Sequence, residues 1–393
     1  MRLRALLLIC FVFTGSVIFA QTDVRSAAYF QSFAHAVSLA AFRRQAKEIA
    51  SSLDDNALAA QVLLTGIDGK LSLAPAMRML LERIPAGGIM LFSYNLDSSK
   101  AEVKNLLSET SDLVAGKTGI PPFMAVDHEG GMVNRFGAMV EKLPSAFFFW
   151  ELAQKEGRSA ALARAETLYR HSALEIRDLG INLVLGPVAE TLNDENRIFL
   201  ETRSYGPDHE FTEAAASAFI ISMERADIAS AVKHFPGNSA IDPHSGVPEL
   251  KAGKKALDEM VKPFAGIIRW LTPPVIMLSH VMVPALDSSR NASLSPVVIQ
   301  NWLRGELGFE GIVLADDFSM GAVAASGISP GAAAVEALNA GADMIMVWPR
   351  DLVAVHSSIL EALGEGRLSR NRLLEAASRI IAGKLRYALI PAL

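Results

Sequence analysis

A chain of 393 residues with a single cysteine, Cys10, cannot be held together by a disulfide framework, so its stability has to come from a buried core, which this length allows. It has no runs of basic residues, and its formal net charge is −5. That removes the electrostatic footprint of a nucleic-acid binder or of a protein recruited to an anionic membrane surface. After residue 55 there is no Pro/Ser/Gly-rich linker and no shift in composition to mark a second domain. Charge is sparse at 20%, and hydrophobic residues make up 51%, a balance that favours a large core over disorder.

The one cysteine falls in a segment unlike the rest. Arg2 and Arg4 precede an apolar run from Ala5 to Phe13, then Thr14, Gly15 and Ser16, and the segment closes on Val17-Ile18-Phe19-Ala20. This pattern reads as a secretory signal peptide over residues 1–20, cut after Ala20. The competing reading is an uncleaved membrane anchor, but the run is shorter than the ~18 apolar residues expected of a span. Ile9 is not the small residue that lipidation of Cys10 would want. The mature chain is therefore expected to be exported, periplasmic or extracellular, without a thiol and without stable insertion in a membrane. Residues 21–54 have helical spacing, with Phe30, Phe33, Ala34, Val37, Ala41 and Phe42 on one side. They are read as one or two helices outside the main body.

From residue 55 to 393, short apolar runs alternate with longer amphipathic ones. The runs are Gln61–Ile67, Gly88–Phe92, Pro122–Val126, Ile181–Gly186, Ile228–His234, Pro274–Ser279, Gly311–Asp316 and Asp343–Val347. Between them lie helical patterns such as Ser98–Ala115, Leu162–Leu179, Phe211–Ala226, Ala252–Trp270, Ser295–Leu307 and Gly331–Ala340, with Leu368–Tyr387 as a last helix; Gly180, Gly308 and Gly341 read as helix stops. Eight short strands, apolar as expected when both faces are covered, predict an α/β fold, a single (β/α)8 TIM-type barrel with an extra N-terminal helical segment. A doubly wound open sheet would need fewer strands or a visible domain break.

Polar residues gather where the strands end: Asp68; Ser93, Tyr94 and Asn95; Asp127, His128 and Glu129; Lys233 and His234; His280; Asp316 and Asp317. In a barrel these ends share one mouth. The densest stretch is Val232–Gly246, VKHFPGNSAIDPHSG, where Asp242 and His244 flank the rigid Pro243. An aspartate beside a histidine orients the imidazole and raises its basicity, although polar loops often only cap turns.

Several stretches are specific enough to carry a resemblance. VDHEGGMVNRF (Val126–Phe136), RSYG from Arg203, KHFPG from Lys233 and ELGFEGIVLADDFSM (Glu306–Met320) occur in order, together with GGIMLFSYN, GINLVLGPV and IMLSHVMVPALD. The chain resembles the β-N-acetylhexosaminidase type of glycoside hydrolase family 3 from about Leu63 to Val347. The resemblance implies a retaining glycosidase in which Asp316 attacks the anomeric carbon, while His244, polarised by Asp242, serves as acid and base. It carries sugar binding onto Asp127, Arg135, Arg203, Lys233 and His234. His280 and Met320 are expected at the pocket wall. His128 and Glu129 stand either as sugar contacts or as braces for their loop, and Asp317 is expected to be tied to loop backbone. His35, His171, His209 and His356 are read as solvated or structural.

The resemblance implies no cofactor and no metal, and as substrate a β-linked amino-sugar oligosaccharide, from peptidoglycan fragments or chitin-like chains. A monomer is the simplest assembly. The pattern is not intact: the family's Gly-His-Gly is Gly237-Asn238-Ser239, its Ser between Asp and His is Pro243, its Arg after the Gly pair is Met132, and the loop to Asp242 is two residues shorter. Other readings are a β-glucosidase or β-xylosidase of the same family, phosphorolysis instead of hydrolysis, a non-catalytic sugar-binding descendant, and a metal-dependent hydrolase using His128, His234, His280 and Asp316.

Overall fold

A computed structural model describes residues 39–242, 246–318 and 327–391. Residues 1–20, read as a signal peptide, and His35, His244 and Met320 lie outside the described residues. Of the N-terminal helical segment, residues 39–51 are helical. Residues Phe42–Leu393 form one compact unit.

Eight parallel strands close into a barrel: β1 Leu63–Gly66, β2 Gly88–Leu91, β3 Phe123–Gly130, β4 Leu183–Leu185, β5 Ala229–Phe235, β6 Val275–Leu278, β7 Ile312–Ala315 and β8 Met344–Val347. Each pairs with its neighbours in sequence, and β8 pairs with β1, as at Leu64 opposite Met346. All eight expected strands are therefore present, and the TIM-type barrel is the observed fold. The strands read as unbroken apolar runs because helices cover the outside while side chains fill the inside; β1, β2, β6 and β7 are buried at every residue.

Two strands run further than their apolar patterns. β3 continues through Asp127, His128 and Glu129 because it turns at Gly130-Gly131 and pairs with Val133–Asn134. Both glycines have positive φ, and a Cβ on Gly130 would stand 2.2 Å from the Pro144 carbonyl oxygen, so the turn admits no side chain. β5 likewise continues through Lys233 and His234 to Phe235. The polar residues thus project from rigid strand and not from loops.

The helices return the chain outside the barrel: α1 Asp55–Gln61, α2 Pro75–Arg83, α3 Lys100–Thr118, α4 Ala146–Glu156, α5 Arg158–Asp178, α6 His209–Glu224, α7 Lys254–Met260, α8 Lys262–Leu271, α9 Pro330–Ala340, α10 Pro349–Gly364 and α11 Arg370–Arg386. Ser99 and Glu102 form a capping box on α3, and Gly119 ends it in the left-handed conformation. The single helix expected over Ala252–Trp270 is two, α7 and α8. Pro263 at the start of α8 has no N–H for the preceding turn, so the chain breaks at Val261. The pattern over Ser295–Leu307 is a π-helix, Val297–Glu306.

At the foot of the barrel the fully buried Asp343 accepts from Arg304 Nη2 (2.6 Å), Arg372 Nη2 (2.9 Å), Arg379 Nη1 (3.1 Å) and the Val313 amide (3.0 Å), tying β8 to β7 and α11. Burial alone would raise its pKa; the arginines hold it below the usual carboxylate range. Close by, Lys384 of α11 is fully buried and donates to Gln61 Oε1 at 2.9 Å. Among the described residues no carboxylate is paired with it, and burial pushes its pKa from 10.5 down to about 7.

A lysine whose folded pKa is lowered costs stability wherever the unfolded chain binds the proton and the folded chain does not. Between pH 7 and 10.5 this group should make stability rise with pH, by ~1.4 kcal/mol per unit. Urea unfolding of Lys384→Met/Gln61→Leu, which removes both polar ends, should give a protein more stable than wild type at pH 7 and lacking that slope. Parallel stability curves for the two proteins would contradict the assignment.

Candidate active site

The carboxyl ends of the strands enclose a cavity of about 600 Å³. Asp127, Arg135, Arg203, Lys233, His234, Asp242, His280 and Asp316 all line it. Every proposed site residue within the described residues is therefore brought to one place, from five strands and the loops after them. His244 and Met320 lie outside the described residues; Ala240 and Asp242, which precede His244 in sequence, line the cavity.

The floor is an ionic cluster. Alternation along β3 puts Asp127 and Glu129 on one side of the strand and His128 on the other. Lys233 of β5 reaches across, with Nζ 2.8 Å from Asp127 Oδ1 and 2.7 Å from Glu129 Oε1. Arg203, from the loop after β4, grips Glu129 with Nε at 2.7 Å and Nη2 at 2.8 Å, the two-toothed geometry that suits a guanidinium. Arg135 Nη2 stands 3.3 Å from Asp127 Oδ2. Burial would push both carboxyls up, but Lys233 next to each, with Arg203 on Glu129 and Arg135 on Asp127, holds them below the usual carboxylate range. Burial would likewise lower Lys233; the two carboxylates raise it instead. These three cations and two anions keep one another ionised. Glu129 is thus part of the cavity wall and a clamp on Arg203 and Lys233.

His128 is a different case. Its ring is buried, lies 2.8 Å from Ser172 Oγ of α5 and packs edge-on against Phe136. Burial lowers its pKa to about 4, so it is a neutral core residue. A metal centre built from His128, His234, His280 and Asp316 would need a ring that faces away from the cavity.

The sequence did not point to Glu190, five residues beyond β4. This carboxylate is buried and accepts four hydrogen bonds: from His234 Nδ1 (2.7 Å), the His234 amide (3.3 Å), the Asn238 amide (2.7 Å) and Asn238 Nδ2 (2.9 Å). A carboxylate only accepts, so His234 carries its proton on Nδ1. Its Nε2 then accepts a long 3.4 Å contact from Arg203 Nη2. Asn238 stands where the family pattern has a histidine, and its side-chain amide fastens the start of the Asp242 loop to Glu190. The Lys233–His234 peptide bond is cis.

Across the cavity, Asp316 follows β7 directly, and its Oδ1 accepts from the Asp317 amide at 2.8 Å. Asp317 was expected to be tied to backbone. Its carboxylate accepts a hydrogen bond from the indole N–H of Trp348, while its carbonyl oxygen lies 3.1 Å from His280 Nε2. Burial lowers the pKa of His280, against the pull of Asp316, so the ring is neutral and donates to that carbonyl. Of the remaining histidines, His171 is an exposed partner of Glu141, His209 meets Thr191, and His356 is buried beside the Asn56 carbonyl.

Loss of the central cation tests the cluster. In Lys233→Met, Asp127 and Glu129 stay buried with one partner fewer, and stability at pH 7 should fall by about 3–5 kcal/mol. Carboxyls with lowered folded pKa stabilise above their unfolded pKa, so the gap to wild type should narrow as acid protonates them below the ordinary values of 3.8 and 4.5. Denaturant melts at pH 7 and pH 3 check this; a gap that is absent at pH 7, or grows with acid, would refute it.

Comparison with known proteins agrees with this geometry. The model of the glycosyl hydrolase family 3 N-terminal domain matches residues 59–382. A beta-hexosaminidase of Methylococcus capsulatus is 35% identical over 284 residues, 71% of this chain and 79% of its own. One from Stenotrophomonas maltophilia is 32% identical over 332 residues, 80% of this chain and 95% of its own. Among solved structures, a glycoside hydrolase family 3 beta-N-acetylglucosaminidase from Paenibacillus sp. superposes with a TM-score of 0.80 at 29% identity, over 87% of this chain; the chain spans 64% of that larger protein.

Proposed function

The chain belongs to glycosyl hydrolase family 3 and is a glycoside hydrolase, and from that premise we propose that it is an exported, exo-acting, retaining β-N-acetylglucosaminidase. The observation that carries this reading is the shared cavity. The carboxylate of Asp316 and the acid/base loop at Asp242 line the same 600 Å³ space as the cluster of Asp127, Arg135, Arg203 and Lys233. A space of that size holds a small ligand and not an extended chain, which favours removal of one terminal sugar at a time. The similarity to beta-hexosaminidases supports N-acetylglucosamine as that sugar, released from peptidoglycan fragments or chitooligosaccharides.

In this mechanism Asp127 accepts hydrogen bonds from ring hydroxyls, while Arg135, Arg203 and Lys233 donate to hydroxyl and acyl oxygens. His234, locked by Glu190 through Nδ1, presents Nε2, whose one lone pair accepts a hydrogen bond from a sugar hydroxyl in place of the long Arg203 contact. Asp316 Oδ displaces the aglycone oxygen at the anomeric carbon and forms a glycosyl ester, and His244, oriented by Asp242, gives that oxygen its proton. The same imidazole, now neutral, draws a proton from water, which cleaves the ester and restores Asp316. A histidine in this role sets no second carboxylate beside the ester, and it titrates near the working pH.

Purified protein should hydrolyse a chromogenic aryl β-N-acetylglucosaminide faster than the matching β-glucoside. Asp316→Ala should lose several orders of magnitude in kcat. His244→Ala should lose about 10²- to 10⁴-fold on an unactivated disaccharide and much less on the aryl substrate, whose leaving group needs no proton. Equal activity of Asp316→Ala and wild type would overturn the reading, and a preference for the β-glucoside would move the specificity.

A further inference from the structure

The sequence motif GGIMLFSYN and the residue after β8 meet over the end of β1 in a way the proposed mechanism leaves unused. Phe92, just beyond β2, stacks on Trp348, just beyond β8, with ring centroids 4.8 Å apart and planes 10° from parallel. Tyr94 stacks on Phe92 at 5.9 Å and 8°, and its hydroxyl donates to the Ile67 carbonyl at 2.9 Å. β1 lies between β2 and β8 in the barrel, so the Phe92 ring has to cross it. It can because β1 ends in Gly66: a Cβ there would stand 3.2 Å from Phe92 Cε2. Asn95 fixes the turn that carries the two rings, accepting from the Phe92 amide at 3.0 Å and donating to the Ile67 and Gly69 carbonyls at 3.1 and 2.8 Å.

The stack sets the plane of the indole, and the indole N–H points at the Asp317 carboxylate. Asp317 is in turn the residue whose amide holds Asp316 Oδ1 at 2.8 Å and whose carbonyl meets His280 Nε2 at 3.1 Å. Asp316 is the first residue off β7, where the ladder to β6 and β8 no longer holds the chain. Among the described residues its carboxylate is held by the Asp317 amide, and Asp317 is anchored on one side by β6 through His280 and on the other by β8 through Trp348.

Building on the glycosidase reading, we propose that Trp348 is a positioning residue for the Asp316 nucleophile. Held flat by Phe92 and Tyr94 over the gap left by Gly66, it fixes Asp317, whose amide aims the attacking oxygen. Trp348 and Phe92 also line the cavity, so substitutions must separate contact with the sugar from aim of the carboxylate. Trp348→Phe keeps an aromatic ring, smaller than the indole, in the stack and at the wall and removes the N–H that reaches Asp317. Phe92→Leu keeps the N–H and removes the stack.

The experiment is steady-state hydrolysis of an aryl β-N-acetylglucosaminide by wild type, Trp348→Phe and Phe92→Leu, with thermal melts of each. Misaiming a reacting atom by about 1 Å costs on the order of 10²-fold. Trp348→Phe should therefore lose about 10- to 100-fold in kcat, with KM within about two-fold and a melting temperature close to wild type. Phe92→Leu should lose less, in the same parameter. An active wild type with unchanged kcat in Trp348→Phe overturns the positioning role alone, as does a loss confined to KM. If Trp348→Phe does not fold, Phe92→Leu decides by the same criterion. A wild type inert on every β-glycoside overturns the glycosidase reading and the positioning role with it.

Discussion

One buried ammonium sets the terms for the rest of the site. Lys233 lies between two carboxylates of β3, and three strand ends depend on it: β3 through Asp127 and Glu129, β5 through Lys233 itself, and the loop after β4 through Arg203 on Glu129. Each of these groups, buried alone, would shed its charge or unfold the barrel mouth. Together they stay ionised.

From that floor the two reactive sides are built by different means. On the β4–β5 side, Glu190 gathers four donors from His234 and Asn238, so the loop toward Asp242 starts from a fixed point. On the β7–β8 side, a hydrogen-bonded relay through Asp317 carries the aim of Asp316 back to an indole and a neutral imidazole. The substitution of the family's histidine by Asn238 does not leave Glu190 short of partners, since an amide donates where an imidazole could. Pro243 and the shorter loop are where the sequence departs from the family pattern, and activity on an unactivated disaccharide tests whether His244 serves as the acid.

The barrel was legible because its strands are covered on both faces: an apolar run of four or five residues has few other uses between amphipathic helices. The positions of Asp127, Lys233, His234, His280 and Asp316 were legible for the same reason, since a charged residue ending such a run has one mouth to face. What sequence could not give was where β3 ends. Asp127 to Glu129 look like loop until Gly130-Gly131 turn the strand back on itself. Glu190 was hidden among the polar residues that follow it, Thr191, Asn193, Asp194, Glu195 and Asn196; its burial is a tertiary fact. Trp348, one residue past the run Asp343–Val347, gave no signal in the sequence, because an indole shows its hydrogen-bonding end only once its partner is placed. The break at Val261 could have been read from Pro263.

The account stands on Asp316 as the atom source of a covalent bond to the sugar. The most direct measurement is intact and peptide mass spectrometry after reaction with a 5-fluoro-N-acetylglucosaminyl fluoride, in which the nucleophile expels fluoride while the ring fluorine slows hydrolysis of the ester. The account predicts a single added glycosyl group on the peptide containing Asp316, absent from Asp316→Ala. A glycosyl group on another residue, or none from an enzyme that turns over the parent glycoside, would contradict it.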